Sequence, residues 1–256
     1  MIKDKVNTHF SKEFNGFVWK IMVDEKKDML ALEIRNAELK TTSFTCININ
    51  NQQVTINNLQ LEESWFCGME IISDGVLLLH YYINESSPEH KGMIAFDACS
   101  GKMLWENYTH AYSGEKWNAF IAYNTRIEPK RFVYLDKTTG QVVQPIPDDE
   151  KASSQNSFFT FPELVDAKVY ESYLSPHTPE GIVELAQTDN TTIISFYIKD
   201  NQVVTNYIRV FNNMNELVLE DKMLSDIQNQ GSDTFFVYKK CLLYIKNRSK
   251  IVGYFL

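Results

Sequence analysis

Gly92–Glu106 reads GMIAFDACSGKMLWE, and Arg131–Gln144 repeats its plan as RFVYLDKTTGQVVQ. Each stretch is an apolar strand run, a turn opened by Asp and closed by Gly, and a second strand. Asp97, Gly101 and Lys102 of the first correspond to Asp136, Gly140 and Gln141 of the second. Gly101 and Gly140 are 140 − 101 = 39 residues apart, a spacing that suits one four-stranded antiparallel module per repeat. The chemistry of the turn follows from its residues. Gly adopts the positive backbone angle that the turn needs. The Asp carboxylate accepts hydrogen bonds from the backbone N–H groups that follow it. Trp105, near the end of the second strand, is placed to wedge between neighbouring modules.

The same plan extends in both directions. Phe17–Val23, Met29–Ile34, Phe44–Ile49 and Val54–Leu59 read as four strands broken by polar, turn-prone segments. Trp65–Ile72 and Val76–Ile83 flank Ser73-Asp74-Gly75, a hairpin signal, and lead into Met93–Asp97 and Lys102–Glu106. A third unit takes Trp117–Tyr123, Arg131–Leu135 and Gln141–Ile146, with an extra strand around Tyr112. A fourth takes Gly181–Thr188, Thr192–Ile198, Val203–Phe211 and Leu217–Glu220. A fifth takes Phe235–Tyr238, Cys241–Ile245 and Ile251–Leu256. Residues 216–230 also carry a helical spacing at Leu219, Met223 and Ile227, but the Asn-rich turn before Val218 favours a strand. Residues 152–180, rich in Phe and Pro, are expected to form an irregular insertion. The expectation is an all-β chain and a single domain over residues 1–256. It is a β-propeller of five blades, six being the alternative, each of mostly four antiparallel strands. Closure of the ring is expected to set Cys241–Leu256 beside Phe17–Val23, which would remove free sheet edges.

DACSGKMLW at Asp97–Trp105 resembles the repeat of pyrroloquinoline-quinone-type propellers, which places Asp, Thr or Ser before Gly, Lys, and a Trp near the end of the outer strand. DKTTGQVVQ at Asp136–Gln144 shares the turn and has Gln144 near the place of the Trp. The quinoprotein dehydrogenases of that repeat class are exported and bind a quinone with calcium. This sequence has neither an adjacent-cysteine pair nor an acidic calcium loop, so the resemblance implies architecture and no cofactor. The chain also looks like an uncharacterised family of small bacterial propeller-like proteins. Trp19, the EIRN of Glu33–Asn36 and the FDACSGKMLWE turn carry that likeness.

Bulk properties narrow the function classes. With 25 basic and 33 acidic residues the net charge is −8. No dense Lys/Arg run exists to grip a phosphate backbone or an anionic bilayer, so neither nucleic acid nor membrane is an expected partner. MIKDKVNTHFSKEF holds no apolar run of signal-peptide type, and a cytoplasmic location is the expectation. Cys46, Cys67, Cys99 and Cys241 are too dispersed for a metal-type pair and are expected to be free thiols.

Candidate site residues come from position in the repeat. Trp19, Trp65 and Trp117 stand near the starts of three units and are candidates for an aromatic binding rim. Aligning MLALEIR with VLLLHYY sets Glu33 opposite His80 and Arg35 opposite Tyr82. Residues two apart share a strand face, so each pair lies side by side on a strand expected to be sandwiched. His9, His80, His90, His110 and His177 show no HxH or HExxH spacing, so no metal centre is expected. No P-loop, GxGxxG or GxSxG motif occurs. Asp24, Glu70, Glu128 and Glu184 are carboxylates at inner-strand positions. The expectation is a non-enzymatic binding or scaffold module for an unidentified protein or small molecule. The alternative is a hydrolase of a carbohydrate or small ester, working through carboxylates at the channel mouth.

Overall fold

The computed structural model describes residues 8–84, 86–144, 158–179, 181–201, 203–227 and 231–256. Almost all of its regular structure is antiparallel strand, arranged in five sheets of four or five strands. In chain order the strands are β1 (Thr8–Glu13), β2 (Phe17–Asp24), β3 (Met29–Asn36), β4 (Thr41–Asn48), β5 (Val54–Leu59), β6 (Cys67–Ser73), β7 (Val76–Tyr82), β8 (His90–Asp97), β9 (Met103–Asn107), β10 (His110–Lys116) and β11 (Ala119–Asn124). There follow β12 (Phe132–Asp136), β13 (Val142–Val143), β14 (Phe159–Thr160), β15 (Glu163–Asp166), β16 (Ile182–Gln187), β17 (Thr191–Asp200), β18 (Val203–Asn212), β19 (Leu217–Leu224), β20 (Phe235–Tyr238), β21 (Cys241–Lys246) and β22 (Lys250–Phe255). Within the stretch with helical spacing, Leu217–Leu224 is the strand β19. Among the described residues no helix is long and apolar enough to cross a membrane.

The chain divides into two compact units. Asn15–Gln155 holds three meanders: β2-β3-β4-β5, β6-β7-β8-β9 and β10-β11-β12-β13. In the first two the middle strands are buried on both faces, which explains apolar runs such as LLL at Leu77–Leu79. Leu77 and Leu79 pack with Met29, Ala31, Phe44 and Cys46 of the first sheet. Val76 and Leu78, pointing the other way, pack with Phe120, Ala122 and Leu135 of the third. One strand therefore serves two cores. Each such side chain contributes roughly 2 kcal/mol by leaving water, so removing one sheet exposes apolar surface on its neighbour.

The other unit joins Met1–Phe14 to Asn156–Leu256 and holds two five-stranded sheets, β15-β16-β17-β18-β19 and β1-β22-β21-β20-β14. Ile193, Ile208 and Val210 of one sheet share a core with Val237, Leu242, Tyr244 and Val252 of the other.

Three expectations are corrected here. The N-terminal strand beside the C-terminal ones is Thr8–Glu13, not Phe17–Val23. Phe10 is its only buried residue, so it left no apolar signal in the sequence. Phe17–Val23 instead opens the first meander, paired with β3. The region 152–180 is not irregular over its described residues, 158–179. Its described part supplies β14 and β15 as edge strands of the two sheets, plus a short helical turn over Ala167–Leu174. Ala167 and Leu174 from that turn cover Val183, Leu185 and Phe196. Trp117 does not begin a strand. It occupies the hairpin turn between β10 and β11, with φ 53°. Pro145 and Pro147, the acidic residues 148–150, and the start of the supposed insertion at 152–157 lie outside the described residues.

Candidate functional site

All the candidates drawn from the repeat except Glu184 fall in Asn15–Gln155. The turn residues are wired within their sheets and to the sheet before. Asp97 Oδ1 accepts from the N–H groups of Cys99 and Ser100 at 2.9 and 2.7 Å. Asp136 Oδ1 accepts likewise from Thr138 and Thr139. Burial works against the Asp136 carboxylate, but its bonds to the two threonines outweigh that and hold its pKa low. Gly101 and Gly140 carry φ values of 73° and 67°. A Cβ on Gly101 would stand 3.0 Å from the Thr55 carbonyl oxygen of β5. One on Gly140 would meet the Trp105 ring of β9 at 2.6 Å. Trp105 Nε1 also donates to the Lys137 carbonyl.

A second group surrounds Arg35 on β3. Its Nε donates to Glu33 Oε1 at 2.7 Å, and Glu33 Oε2 accepts the Met69 N–H of the next sheet at 2.8 Å. Glu33 is fully buried. The guanidinium carbon lies 5.2 Å from the Trp19 ring centre and 5.9 Å from that of Trp65. Trp19 stands at a bulge in the β2–β3 ladder, and Trp65 precedes β6 by two residues. The two indoles thus hold a cation that the protein itself supplies. Burial alone would lower the Arg35 pKa, but Glu33 and Tyr82 outweigh it and raise it.

Beside this group the fold gathers a cluster that no spacing in the sequence announces. Glu70, His80 and His90 come from the adjacent strands β6, β7 and β8. The β6–β7 ladder pairs Met69 with Leu79 and Ile71 with Leu78, which leaves Glu70 as a bulged residue. The β7–β8 ladder shifts between Leu79 and Tyr81, so His80 is skipped on that side. Bulges re-aim side chains that would otherwise alternate between faces. Here they bring the ligating atoms of the three residues within 4.8 Å of one another. The His80 and His90 rings stack at 3.6 Å and 10°. Tyr82 meets both edge-on, at 4.8 and 5.1 Å. His90 Nδ1 lies 2.6 Å from Glu70 Oε1.

His80 is 3% exposed, Glu70 9% and His90 31%, so the cluster is closed at one end and open at the other. His80 Nδ1 approaches Glu70 Oε1 to 3.2 Å but is not aligned for a hydrogen bond, and neither ring nitrogen has a hydrogen-bond partner. The imidazole has room only because residue 68 is glycine: a Cβ there would lie 2.8 Å from His80 Cε1. Burial depresses the His80 pKa against the pull of Glu70. Burial would raise that of Glu70, but the two imidazoles outweigh it and bring it down to about 2.

Tyr82 also borders a cleft of about 620 Å³ lined by Glu62, Glu63, Phe66, Tyr81, Lys91 and Tyr108, among others. Tyr81 and Tyr108 run nearly parallel across it, 6.4 Å between ring centres and 12° between planes. Tyr108 donates its hydroxyl to Glu106, which raises its pKa to about 12. Lys91 Nζ donates to the Ile83 carbonyl. Of this cleft the sequence singled out Tyr82 alone, because Tyr81 and Tyr108 sit on β7 and in the loop after β9 rather than at the starts of units.

The other candidates serve different ends. Trp117 lies against Lys116 and Tyr134. Asp24 is buried, its Oδ2 taking the Gly75 N–H at 2.5 Å. Glu184, in the other unit, is buried and accepts from Thr234 N–H at 3.2 Å and from its hydroxyl. Glu128 precedes Pro129 in the exposed β11–β12 connection.

Residues 23–105 match a family described as a domain of unknown function, DUF4905. That stretch contains Glu33, Arg35, Glu70, His80 and His90. No curated protein matches the chain. Among solved structures the chain is similar to the Dos1 propeller, at 13% identity, covering 93% of this chain and 67% of that one, with a TM-score of 0.33. It is similar to a europium-containing methanol dehydrogenase at 12% identity, covering 96% and 52%, with a TM-score of 0.33. A member of the DUF4221 family from Bacteroides vulgatus is 10% identical over 99% of this chain and 98% of that one, with a TM-score of 0.25. The chain thus spans about two thirds of the Dos1 propeller and about half of the dehydrogenase. No activity or ligand passes to it at these scores.

Proposed function

We propose that the chain is a binding module, each sheet serving as one blade, and that the tyrosine-walled cleft in Asn15–Gln155 receives a basic side chain of a partner protein. The observation that carries this reading is the cleft's composition. Tyr81 and Tyr108 present parallel aromatic walls, and Glu62 and Glu63 bring carboxylates to the same space. Aromatic faces with nearby carboxylates favour an organic cation over an anion or a neutral sugar. The excess of acidic residues favours the same partner over long range. The hydrolase alternative gains no comparable support, since Asp24 and Glu184 are committed to backbone and hydroxyl donors.

A fluorescence-anisotropy screen with short Lys- and Arg-containing peptides, and matched Gln versions, tests this. Preferential binding of the basic set, weakened by at least about tenfold in Tyr108→Ala and in Glu62→Gln, supports the reading. Equal binding of the two sets, or binding unaffected by both substitutions, removes it.

A further inference from the structure

We propose that Glu70, His80 and His90 form a binding site for a divalent transition-metal ion of the Zn²⁺ type. This goes beyond the cleft and does not depend on it. The donor set is two imidazoles and one carboxylate, a combination suited to zinc and to neighbouring first-row ions. The ligating atoms already lie within 4.8 Å of one another, and rotation of one of the two stacked rings would aim both imidazole lone pairs at a common ion.

Three further observations favour a ligand over simple packing. His80 is buried; its Nδ1 has only the misaligned Glu70 Oε1 at 3.2 Å, and its Nε2 has no hydrogen-bond partner, and such a group is costly unless something completes it. The backbone is irregular where the cluster forms. Glu70 is bulged, the ladder skips His80, and glycine at 68 leaves space for the ring. Met69 beside them directs its N–H to Glu33 and receives Lys20 Nζ on its carbonyl, which replaces bonds lost from the ladder. His90, on the open side, gives an ion access and leaves room for a water or an outside ligand in the remaining coordination position.

The experiment uses the full chain, free of any histidine tag. Zn²⁺ is titrated by calorimetry and Co²⁺ by visible absorption. The expected result is one ion per chain with a dissociation constant of about 10 µM or tighter and a raised melting temperature in excess Zn²⁺. The Co²⁺ spectrum is expected to show d–d bands and no thiolate charge-transfer band. His90→Ala, at the open end of the cluster, is expected to weaken binding at least about a hundredfold while keeping the wild-type circular-dichroism spectrum. If His90→Ala fails to fold, His90→Gln serves in its place. Cys99→Ser is expected to bind as wild type does. No saturable binding, binding unchanged in the His90 variant, or binding lost in Cys99→Ser overturns the proposal.

Discussion

The ring of Trp105 occupies the space that Gly140 leaves by having no Cβ. A methyl group built there would lie 2.6 Å from indole Cδ2 and 2.8 Å from Cγ, well inside contact distance. The indole N–H meanwhile donates to the Lys137 carbonyl at 2.9 Å. The last strand of one sheet thereby grips the turn of the next, and the grip depends on a missing methyl group. Gly140→Ala should therefore destabilise twice over, through its φ of 67°, worth about 1 kcal/mol, and through collision with the indole. Trp105→Ala should cost about 3 kcal/mol. The double variant should be less damaged than the sum of the two, by about 1–3 kcal/mol, because the collision is then gone. Urea melts of the four proteins measure this. Strict additivity would mean that the ring moves aside freely.

Arg35→Ala leaves Glu33 buried with the Met69 N–H as its one remaining hydrogen bond of the two described for it. A buried carboxylate stripped of its cation costs about 3 kcal/mol. The Glu33→Gln/Arg35→Met pair should recover most of that loss, because it leaves no uncompensated charge. An unchanged melting midpoint in Arg35→Ala would show that water reaches Glu33 as soon as the guanidinium is removed.

Lys137 gives a pH-dependent version of the same grip. Its buried ammonium donates to Ser73, Asp74 and Glu115 at 2.6 to 2.8 Å. Burial would raise the Asp74 pKa, but Lys137 and Lys26 outweigh it and lower it. A folded-state value below the unfolded one means that the stabilisation is present above the unfolded Asp value of about 4. It is lost as pH falls through the folded value. Lys137→Met should flatten the acid limb of stability against pH in that window, read from urea midpoints between about pH 2 and 5. An acid limb of unchanged slope would assign it to other carboxylates.

The thiols offer a direct check on burial. Cys99, in the turn after Asp97, is exposed, whereas Cys46, Cys67 and Cys241 are buried. Burial pushes the pKa of each of these three up to about 12. A disulfide reagent at neutral pH should label one thiol rapidly in the native protein and all four after denaturation. Fast labelling of a second native thiol would show that one of the strand cores opens readily.

What could be read from the chain, and what could not, divides along physical lines. The Asp…Gly turns and the doubly buried runs were legible because turn chemistry and apolar burial are properties of adjacent residues. Arg35 beside Glu33 was legible from the two-residue strand period. The pairing of Trp19 and Trp65 with Arg35 was not, because it joins a bulge in one sheet to a loop before the next. Glu70, His80 and His90 were invisible as a group for a similar reason. A single inserted residue turns a side chain to the other face without changing the composition of the strand. β14 and β15 were lost because edge strands of two and four residues carry little apolar pattern.

β1 was missed for the same cause, and it carries the last prediction. β22 lies between β1 and β21, and its Gly253 faces Phe10, whose ring would stand 2.6 Å from a Cβ built at 253. Deleting Ile251–Leu256 removes an inner strand and leaves the β1 and β21 edges unpaired, with Phe10 exposed. The unit formed by Met1–Phe14 and Asn156–Leu256 should then lose amide protection throughout β20 and β21. Phe10→Ala removes one ring from the edge strand and should cost about 3 kcal/mol, with protection in β21 retained. Hydrogen exchange separates these outcomes. Full protection of β21 in the deletion variant would mean that the remaining strands close on one another without β22.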